Sequence, residues 1–171
     1  DPAHLRSCHH MIEWPSAIER SLNGQGLTRE EGRAILNLPD EEVPVALRAA
    51  FEVRRVHFGK RVKLCMLQNA RSGLCPEDCH YCSQSSLSTA TIDKYPLMVT
   101  EQLIEGAQRA RQAGATRYCM VTSGRGPSDE DIEHFCEVTR AIKQALQLEI
   151  CICVGLLSEP QARKLKEAGV G

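Results

Sequence analysis

Three cysteines lie within one eight-residue segment and could bind a metal centre together. Cys75, Cys79 and Cys82 follow a C-x3-C-x2-C spacing, so one loop can bring three sulfurs to a single centre. Three thiolates leave one iron of a [4Fe-4S] cube without a protein sulfur and free to bind another molecule. Structural zinc needs four ligands in a closed tetrahedron, for which His80 is the only local candidate. The spacing and ligand count therefore favour an iron–sulfur centre over zinc.

The composition and the cysteine count lead us to expect an ordered protein in the cytoplasm. The chain has 171 residues, of which 42% are hydrophobic and 25% charged, and its formal net charge is -1. The nine cysteines are an odd number, and no basic-then-apolar secretory signal precedes them, so we expect thiol ligands in a reducing compartment. The near-neutral charge gives no sign of nucleic-acid binding. Because no apolar run approaches roughly 20 residues, we expect no membrane span.

The elements that must position these cysteines alternate between strand and helix. We expect a disordered end at 1–13, a helical extension at 14–59 and, from 60 to 171, three βα units. The extension carries a capping-box pattern, Thr28-x-x-Glu31, and its last helix stops at Gly59. Thr100, Ser128 and Ser158 are the expected N-caps of the later helices. The predicted strands and helices are Val62–Gln68, Thr100–Gly114, Thr116–Thr122, Ser128–Gln147, Leu148–Val154 and Ser158–Gly169.

Residue parity along the strands distinguishes a barrel from an open doubly wound sheet. In the third strand Ile150 and Ile152 share one face, whereas Cys151 and Cys153 share the other. Helices on both sides of an open sheet would require two apolar faces, and a sulfur-bearing face suits a barrel lumen instead. We therefore predict an α/β fold that forms the N-terminal portion of a (β/α)8 TIM-type barrel, with about three βα units after a helical extension.

The cysteine segment resembles the signature of the radical S-adenosylmethionine (AdoMet) superfamily, C-x3-C-x-aromatic-C, with Tyr81 as the aromatic residue. The resemblance implies that Cys75, Cys79 and Cys82 bind a [4Fe-4S] cluster. It also implies that the free iron chelates AdoMet, which the reduced cluster cleaves to methionine and a 5'-deoxyadenosyl radical. Tyr81 is then expected beside the adenine of AdoMet.

Further segments look like the biotin synthase family within that superfamily. They include 59–64, 69–74, 82–85, 116–119, 123–127 and 150–157, so the resemblance covers roughly residues 15 to 171. It implies sulfur insertion between C6 and C9 of dethiobiotin to form biotin, by a sulfurtransferase that holds a second, [2Fe-2S] cluster inside the barrel. Cys119 and Cys151 match two ligands of that cluster. Cys153 has the same parity as Cys151 and is the competing choice for the third strand.

For several other residues the sequence leaves two roles open or indicates no functional role. Arg117 faces inward and could bond sulfides or a substrate carboxylate, or could equally reach solvent from the strand end. Cys65 has the parity of the lumen face. Cys136 fits the apolar stripe of a helix as a small buried hydrophobe, and Cys8 lacks a convincing site. Arg54 and Arg55 belong to a locally basic segment on which an anionic electron donor could dock.

The resemblance also sets expectations for the partners and for the extent of the chain. It implies a flavodoxin- or ferredoxin-type electron donor and a homodimer when the enzyme is full length. Because a complete barrel needs around 250 residues, we expect this chain to be the N-terminal part of a longer enzyme and inactive alone. Two alternatives stay open. One is another radical AdoMet barrel enzyme, such as a hydrogenase-maturation protein, and the other is a non-catalytic zinc-binding module.

Overall fold

The computed structural model describes residues 12–171. It divides into two compact units, with the boundary between Val62 and Lys63. Cys8 and most of the end expected to be disordered lie outside the described residues. Within residues 12–171, no helix combines the length and the apolar character that crossing a membrane requires.

The first unit consists of three helices, α1 (Trp14–Leu22), α2 (Arg29–Leu36) and α3 (Val43–Phe58). The predicted capping box starts α2: the Thr28 hydroxyl accepts the Glu31 N–H at 3.1 Å, and the Glu31 carboxylate accepts the Thr28 N–H at 2.8 Å. Gly59 ends α3 with a φ of 60°, which a residue with a side chain adopts only at a cost. These caps are local, which explains why the sequence predicts them.

The second unit is a three-stranded parallel sheet with a helix after each strand. The strand order is β1-β2-β3, so consecutive strands are neighbours. This topology confirms the predicted first three βα units of a barrel. The elements are β1 (Cys65–Arg71), α4 (Thr100–Gln112), β2 (Arg117–Thr122), α5 (Asp129–Ala145), β3 (Glu149–Cys153) and α6 (Glu159–Ala168).

The core lies between one face of the sheet and the three helices of this unit. Tyr118, Met120 and Ile150 are at most 1% exposed and belong to the same apolar cluster as Leu103 of α4 and Phe135 of α5. The alternate residues of β2 and β3 stay partly or fully exposed on the opposite face, which we call the open face. The predicted parity of β2 and β3 is therefore confirmed, because strand side chains alternate with a period of two.

The predicted bounds of β1, Val62–Gln68, and the predicted N-cap of α4 are wrong. β1 runs from Cys65 to Arg71. Val62 is not part of the strand, because the pairing of β1 with β2 begins at Cys65, which lies opposite Arg117. Thr100 is the first residue of α4 and not its N-cap. Val99 occupies the cap position, where its N–H donates to the Gln102 side chain at 3.3 Å. Ser128 and Ser158 cap α5 and α6 as predicted.

The far edge of β3 begins to pair with the residues that follow α6. Gly169 ends α6 in the left-handed conformation, with a φ of 102°. Val170 then forms a parallel bridge with Ile150, and the Gly171 N–H donates to the Ile150 carbonyl at 3.0 Å. The chain thus turns back into a fourth position of the parallel sheet, as the βα repetition of a barrel requires.

Candidate metal centre

The segment from Cys75 to Cys82, which we call the cysteine loop, follows the carboxyl end of β1. Active sites of parallel α/β barrels form at this edge, where the βα loops meet. Cys75 and Cys82 are half-buried and Cys79 is exposed, and all three are free thiols. The loop is therefore at the edge where a barrel of this kind carries its chemistry.

Main-chain hydrogen bonds hold the two ends of the cysteine loop near each other. The Cys75 N–H donates to the Gln84 carbonyl at 3.0 Å, and the Cys75 carbonyl accepts the Ser86 N–H at 2.9 Å. Within the loop, the Cys82 N–H donates to the Cys79 carbonyl at 2.7 Å. The first ligand candidate is thus fixed from both sides by its main chain, while Cys79 lies at the exposed turn.

The donor set fits the cluster that the sequence predicts, although the loop is not a preassembled site. Among residues 12–171, no three Cys, His, Asp or Glu side chains lie close enough together to hold one metal ion. Three thiols in one loop nevertheless supply the soft ligands that an iron–sulfur cluster takes, and metal binding often completes the folding of such a loop. A cluster held by these three thiols would require the loop to close around it.

His80, the candidate fourth ligand for zinc, does not join the cysteines. Its side chain is 95% exposed, and its Nδ1 atom lies 3.9 Å from an Asp78 carboxylate oxygen. Tyr81 is also 95% exposed. Both side chains therefore point away from the protein surface, which leaves the face of Tyr81 open to a ligand bound at the loop.

Two ion pairs tie the cysteine loop and the end of β1 to the segment after β2. Arg125 Nη1 donates to both carboxylate oxygens of Glu77, which lies between the first two cysteines, at 3.1 and 3.0 Å. Arg71, the last residue of β1, donates to Asp131 in the first turn of α5 at 2.6 Å. The single sequence gave no signal for either pair, because the partners are 48 and 60 residues apart.

The electrostatics of Asp131 follow from these contacts. Burial raises the pKa of Asp131, but hydrogen bonds from the Arg71 guanidinium and the Ser128 N–H outweigh this effect, so the pKa lies below its ordinary value. Asp131 thus remains a carboxylate near neutral pH and holds Arg71 beside the start of α5.

A cavity of about 530 Å³ opens beside the cysteine loop. This volume is within the range of small-molecule sites. Its walls come from the end of β1, the cysteine loop, the segment before α4 and the loop after β2. The lining residues are Arg71, Ser72, Gly73, Leu74, Pro76, Lys94, Tyr95, Pro96, Ser123, Gly124, Arg125 and Gly126.

The loop after β2 also contacts the loop after β3 through main-chain atoms. The Leu156 N–H donates to the Arg125 carbonyl at 2.8 Å. A Cβ atom on Gly155 would lie 2.3 Å from that carbonyl oxygen, and Gly155 has a φ of 84°. Only glycine satisfies both conditions, so Gly155 fixes the approach of these two loops at the carboxyl edge.

The open face of the sheet brings the second predicted pair of ligands together. Cys119 of β2 lies opposite Cys151 of β3 in the parallel register, whereas Cys153 lies opposite Val121. Burial raises the pKa of the Cys119 thiol to about 12, with further contributions from Cys151 and from the neighbouring thiols of Cys65 and Cys153. The register favours Cys151 over Cys153 as the partner of Cys119.

The remaining sequence predictions have clear structural outcomes. Arg117 donates to Glu149 at 3.1 and 2.9 Å, and Lys63 also bonds this carboxylate. Arg117 lies at the start of β2, the edge opposite the cysteine loop, so it acts there as an ion-pair partner. Cys136 is 1% exposed, as predicted for a core residue.

One arginine of the basic segment on which an electron donor could dock forms hydrogen bonds with the neighbouring main chain. Arg54 donates to the main-chain carbonyls of Gly59 and Arg61, just after α3. This contact satisfies two carbonyl groups in the segment that follows α3. Arg54 therefore holds the segment that follows α3.

Comparison with known families and proteins gives a consistent result. Residues 71–171 match the model of the radical SAM superfamily. A biotin synthase of Halalkalibacterium halodurans is 46% identical over 159 residues, which are 93% of this chain and 48% of that relative. A biotin synthase of Bacillus subtilis strain 168 is 45% identical over 160 residues, 94% of this chain and 48% of the relative. The chain spans about half the length of the curated relatives it matches.

Two solved structures share the fold. The crystal structure of methylornithine synthase (PylB) has a TM-score of 0.75 and 26% identity, and the match covers 91% of this chain and 45% of that one. The structure of HydG, a maturase of the [FeFe]-hydrogenase, has a TM-score of 0.66 and 21% identity over 92% of this chain and 35% of its own. The second likeness concerns the fold alone.

Proposed function

The chain belongs to the radical SAM superfamily. We propose that it is part of a biotin synthase, which inserts sulfur between C6 and C9 of dethiobiotin. Membership of the superfamily implies a [4Fe-4S] cluster and AdoMet as cofactors. The likeness to curated biotin synthases supports the choice of substrate. The proposal also includes a second, [2Fe-2S] cluster, a flavodoxin- or ferredoxin-type electron donor, a homodimeric full-length enzyme and a cytoplasmic location.

The observation that carries the proposal is the placement of three cysteines in the loop after β1 and of two more on the adjacent strands β2 and β3. Cys75, Cys79 and Cys82 follow the carboxyl end of β1, and Cys119 is paired with Cys151 on the open face of the same sheet. A radical enzyme that also donates sulfur needs a radical-generating centre and a separate sulfur source within one cavity. A radical AdoMet enzyme without sulfur insertion has no need of the second pair.

The chain's own residues have distinct roles in this proposal. When bound, the [4Fe-4S] cluster and AdoMet supply a 5'-deoxyadenosyl radical that removes hydrogen atoms from dethiobiotin, and the [2Fe-2S] cluster supplies the sulfur. The three loop cysteines hold the first cluster and leave one iron for AdoMet. Tyr81 provides an exposed aromatic face for adenine. Cys119 and Cys151 supply two ligands of the second cluster.

A chimera with the relative from Halalkalibacterium halodurans tests the proposal. Its 159 matched residues are replaced by those of this chain, and biotin formation from dethiobiotin is measured anaerobically with AdoMet and a reducing system. We expect biotin from the chimera and none from its Cys79→Ala variant. The exposed neighbour His80 provides the matched control, His80→Ala, which should keep the activity. A folded chimera that cleaves AdoMet but leaves dethiobiotin unchanged would contradict the proposed substrate.

A further inference from the structure

Gln84 contacts both the cysteine loop and the turn that leads into it. Its side-chain carbonyl accepts the Gly73 N–H at 2.6 Å and the Ser72 hydroxyl at 3.2 Å. Its main-chain carbonyl accepts the Cys75 N–H at 3.0 Å. Gln84, two residues after Cys82, therefore bonds three of the four residues from Ser72 to Cys75, and Leu74 is the exception.

The turn that Gln84 holds is an unfavourable one. Gly73 and Leu74 have φ values of 74° and 58°, and Leu74 is the only residue with a side chain among 12–171 that has a positive φ. Leucine gains nothing in the left-handed region that would favour it locally, and its side chain is 70% exposed. Such a conformation persists only where surrounding contacts determine it.

Contacts on both sides of Gly73 supply that constraint. Its N–H is bound by the Gln84 side chain, and its carbonyl accepts the Ser123 hydroxyl at 2.8 Å. A Cβ atom at this position would lie 2.6 Å from Lys94 Cγ, so no larger residue fits without displacing Lys94. Of the residues in these contacts, Gln84 alone is also bonded to Cys75, which makes it the link between the turn and the first ligand.

We propose that Gln84 is a positioning residue for the cysteine loop: its carboxamide fixes the Gly73–Leu74 turn and thereby presents the Cys75 sulfur before any cluster is bound. The inference rests on the proposed function for the identity of the cluster, but its geometry does not depend on metal. With the turn fixed, only Cys79 and Cys82 must move when the loop closes around a cluster. If the turn were not fixed, all three sulfurs would have to become ordered when the cluster binds.

Hydrogen exchange of the metal-free chain tests the positioning directly. Amide exchange at Gly73 and Cys75 is followed by NMR in the wild type, Gln84→Met, Gln84→Glu and the control Gln108→Met, which changes an exposed residue of α4. Loss of the carboxamide removes the acceptor of the Gly73 N–H and should speed exchange at Gly73 by about tenfold, the worth of one hydrogen bond. The Cys75 N–H keeps its main-chain acceptor, so faster exchange at Cys75 reports that release of the turn also frees the first ligand. Glu keeps an accepting oxygen and should restore protection near neutral pH, and Gln108→Met should match the wild type.

Cluster retention provides the second measurement. After anaerobic reconstitution, Gln84→Met should release iron to a chelator several-fold faster than the wild type and than Gln84→Glu, and its EPR signal should differ after reduction. Unchanged exchange at Cys75 in Gln84→Met would overturn the inference, even if Gly73 alone became exposed. If the wild type retains no iron and sulfide, the proposed function fails, while the exchange data still decide the role of Gln84 in presenting Cys75.

Discussion

Cys119 lies directly opposite Cys151 in the parallel register of β2 and β3, and both thiols face the open side of the sheet. On that side Cys153 is the next thiol along β3, but it is paired with Val121. Two ligands of one compact cluster must lie within a few ångströms of each other, and adjacent strands are about 4.8 Å apart. The register therefore separates two cysteines that parity alone leaves equivalent.

The first prediction concerns these three thiols in the chimeric enzyme. Cys119→Ala and Cys151→Ala should each abolish biotin formation while retaining AdoMet cleavage, because the cysteine loop stays intact. Cys153→Ala is the matched control on the same face and should retain both activities. Biotin and 5'-deoxyadenosine are quantified in the same reactions. Loss of biotin in Cys153→Ala, with normal synthesis in Cys151→Ala, would reverse the ligand assignment.

The second prediction concerns the ion pair between Arg125 and Glu77. Arg125→Glu should weaken cluster retention two- to five-fold, because about 0.5–1 kcal/mol is typical of an exposed pair and two carboxylates would then face each other across the loop. Global stability should change little. The double variant Glu77→Arg with Arg125→Glu restores opposite charges and should recover most of the loss. Chelator-driven iron release measures retention, and equal release rates for the wild type and Arg125→Glu would remove the role of this pair.

The third prediction is a pH dependence of stability that Asp131 carries. Its pKa is lowered in the folded chain, so its stabilisation is complete above the ordinary pKa near 3.9 and is lost as the pH falls through the folded value. Asp131→Asn should lower the free energy of unfolding by about 1–2 kcal/mol at pH 7. At pH 3 the difference should shrink.

The control for Asp131 is Glu130→Gln, which removes an exposed negative charge from the same first turn of α5. It accounts for the general preference of a helix N-terminus for acidic residues. Urea titrations at both pH values give the comparison. A constant difference between wild type and Asp131→Asn from pH 7 to pH 3 would show that the carboxylate charge is not the cause.

The fourth prediction separates backbone strain from steric overlap at the carboxyl edge. Gly155 and Gly114 both have a positive φ, of 84° and 80°, but a Cβ atom meets the Arg125 carbonyl at Gly155 and nothing within 4 Å at Gly114. Gly114→Ala should cost about 1 kcal/mol, the price of the left-handed conformation. Gly155→Ala should cost clearly more, because a main-chain atom must move. Thermal unfolding of both variants measures this, and equal losses would show that the two loops separate easily.

The parts of the fold that follow from local rules were predictable from the sequence. The period of two in β2 and β3 assigned Cys119 and Cys151 to the open face, and Ser128 and Ser158 capped their helices as expected. Thr100 failed as a cap because Val99 is extended and its N–H is satisfied by Gln102. The presence of a residue type that favours N-caps does not determine which of two neighbouring positions is the N-cap.

The contacts around the cysteine loop were not predictable in the same way. Glu77 and Arg125 meet because the loops after two neighbouring strands lie side by side, which depends on strand order and register. Gln84 lies only two residues beyond Cys82, but its role depends on a backward turn at Gly73 and Leu74. Nothing in a single sequence indicates a left-handed leucine, since its side chain disfavours that conformation.

The central claim is that the cysteine loop binds an iron–sulfur cluster that in turn binds AdoMet. Its most direct test is anaerobic reconstitution of the chain with iron and sulfide, followed by metal and sulfide analysis and EPR of the reduced protein with and without AdoMet. We predict bound iron and sulfide and an EPR signal that AdoMet shifts. The shift should be absent from Cys75→Ala, Cys79→Ala and Cys82→Ala and unchanged in His80→Ala. Binding of stoichiometric zinc without sulfide, with loss of that zinc in His80→Ala, would contradict the account.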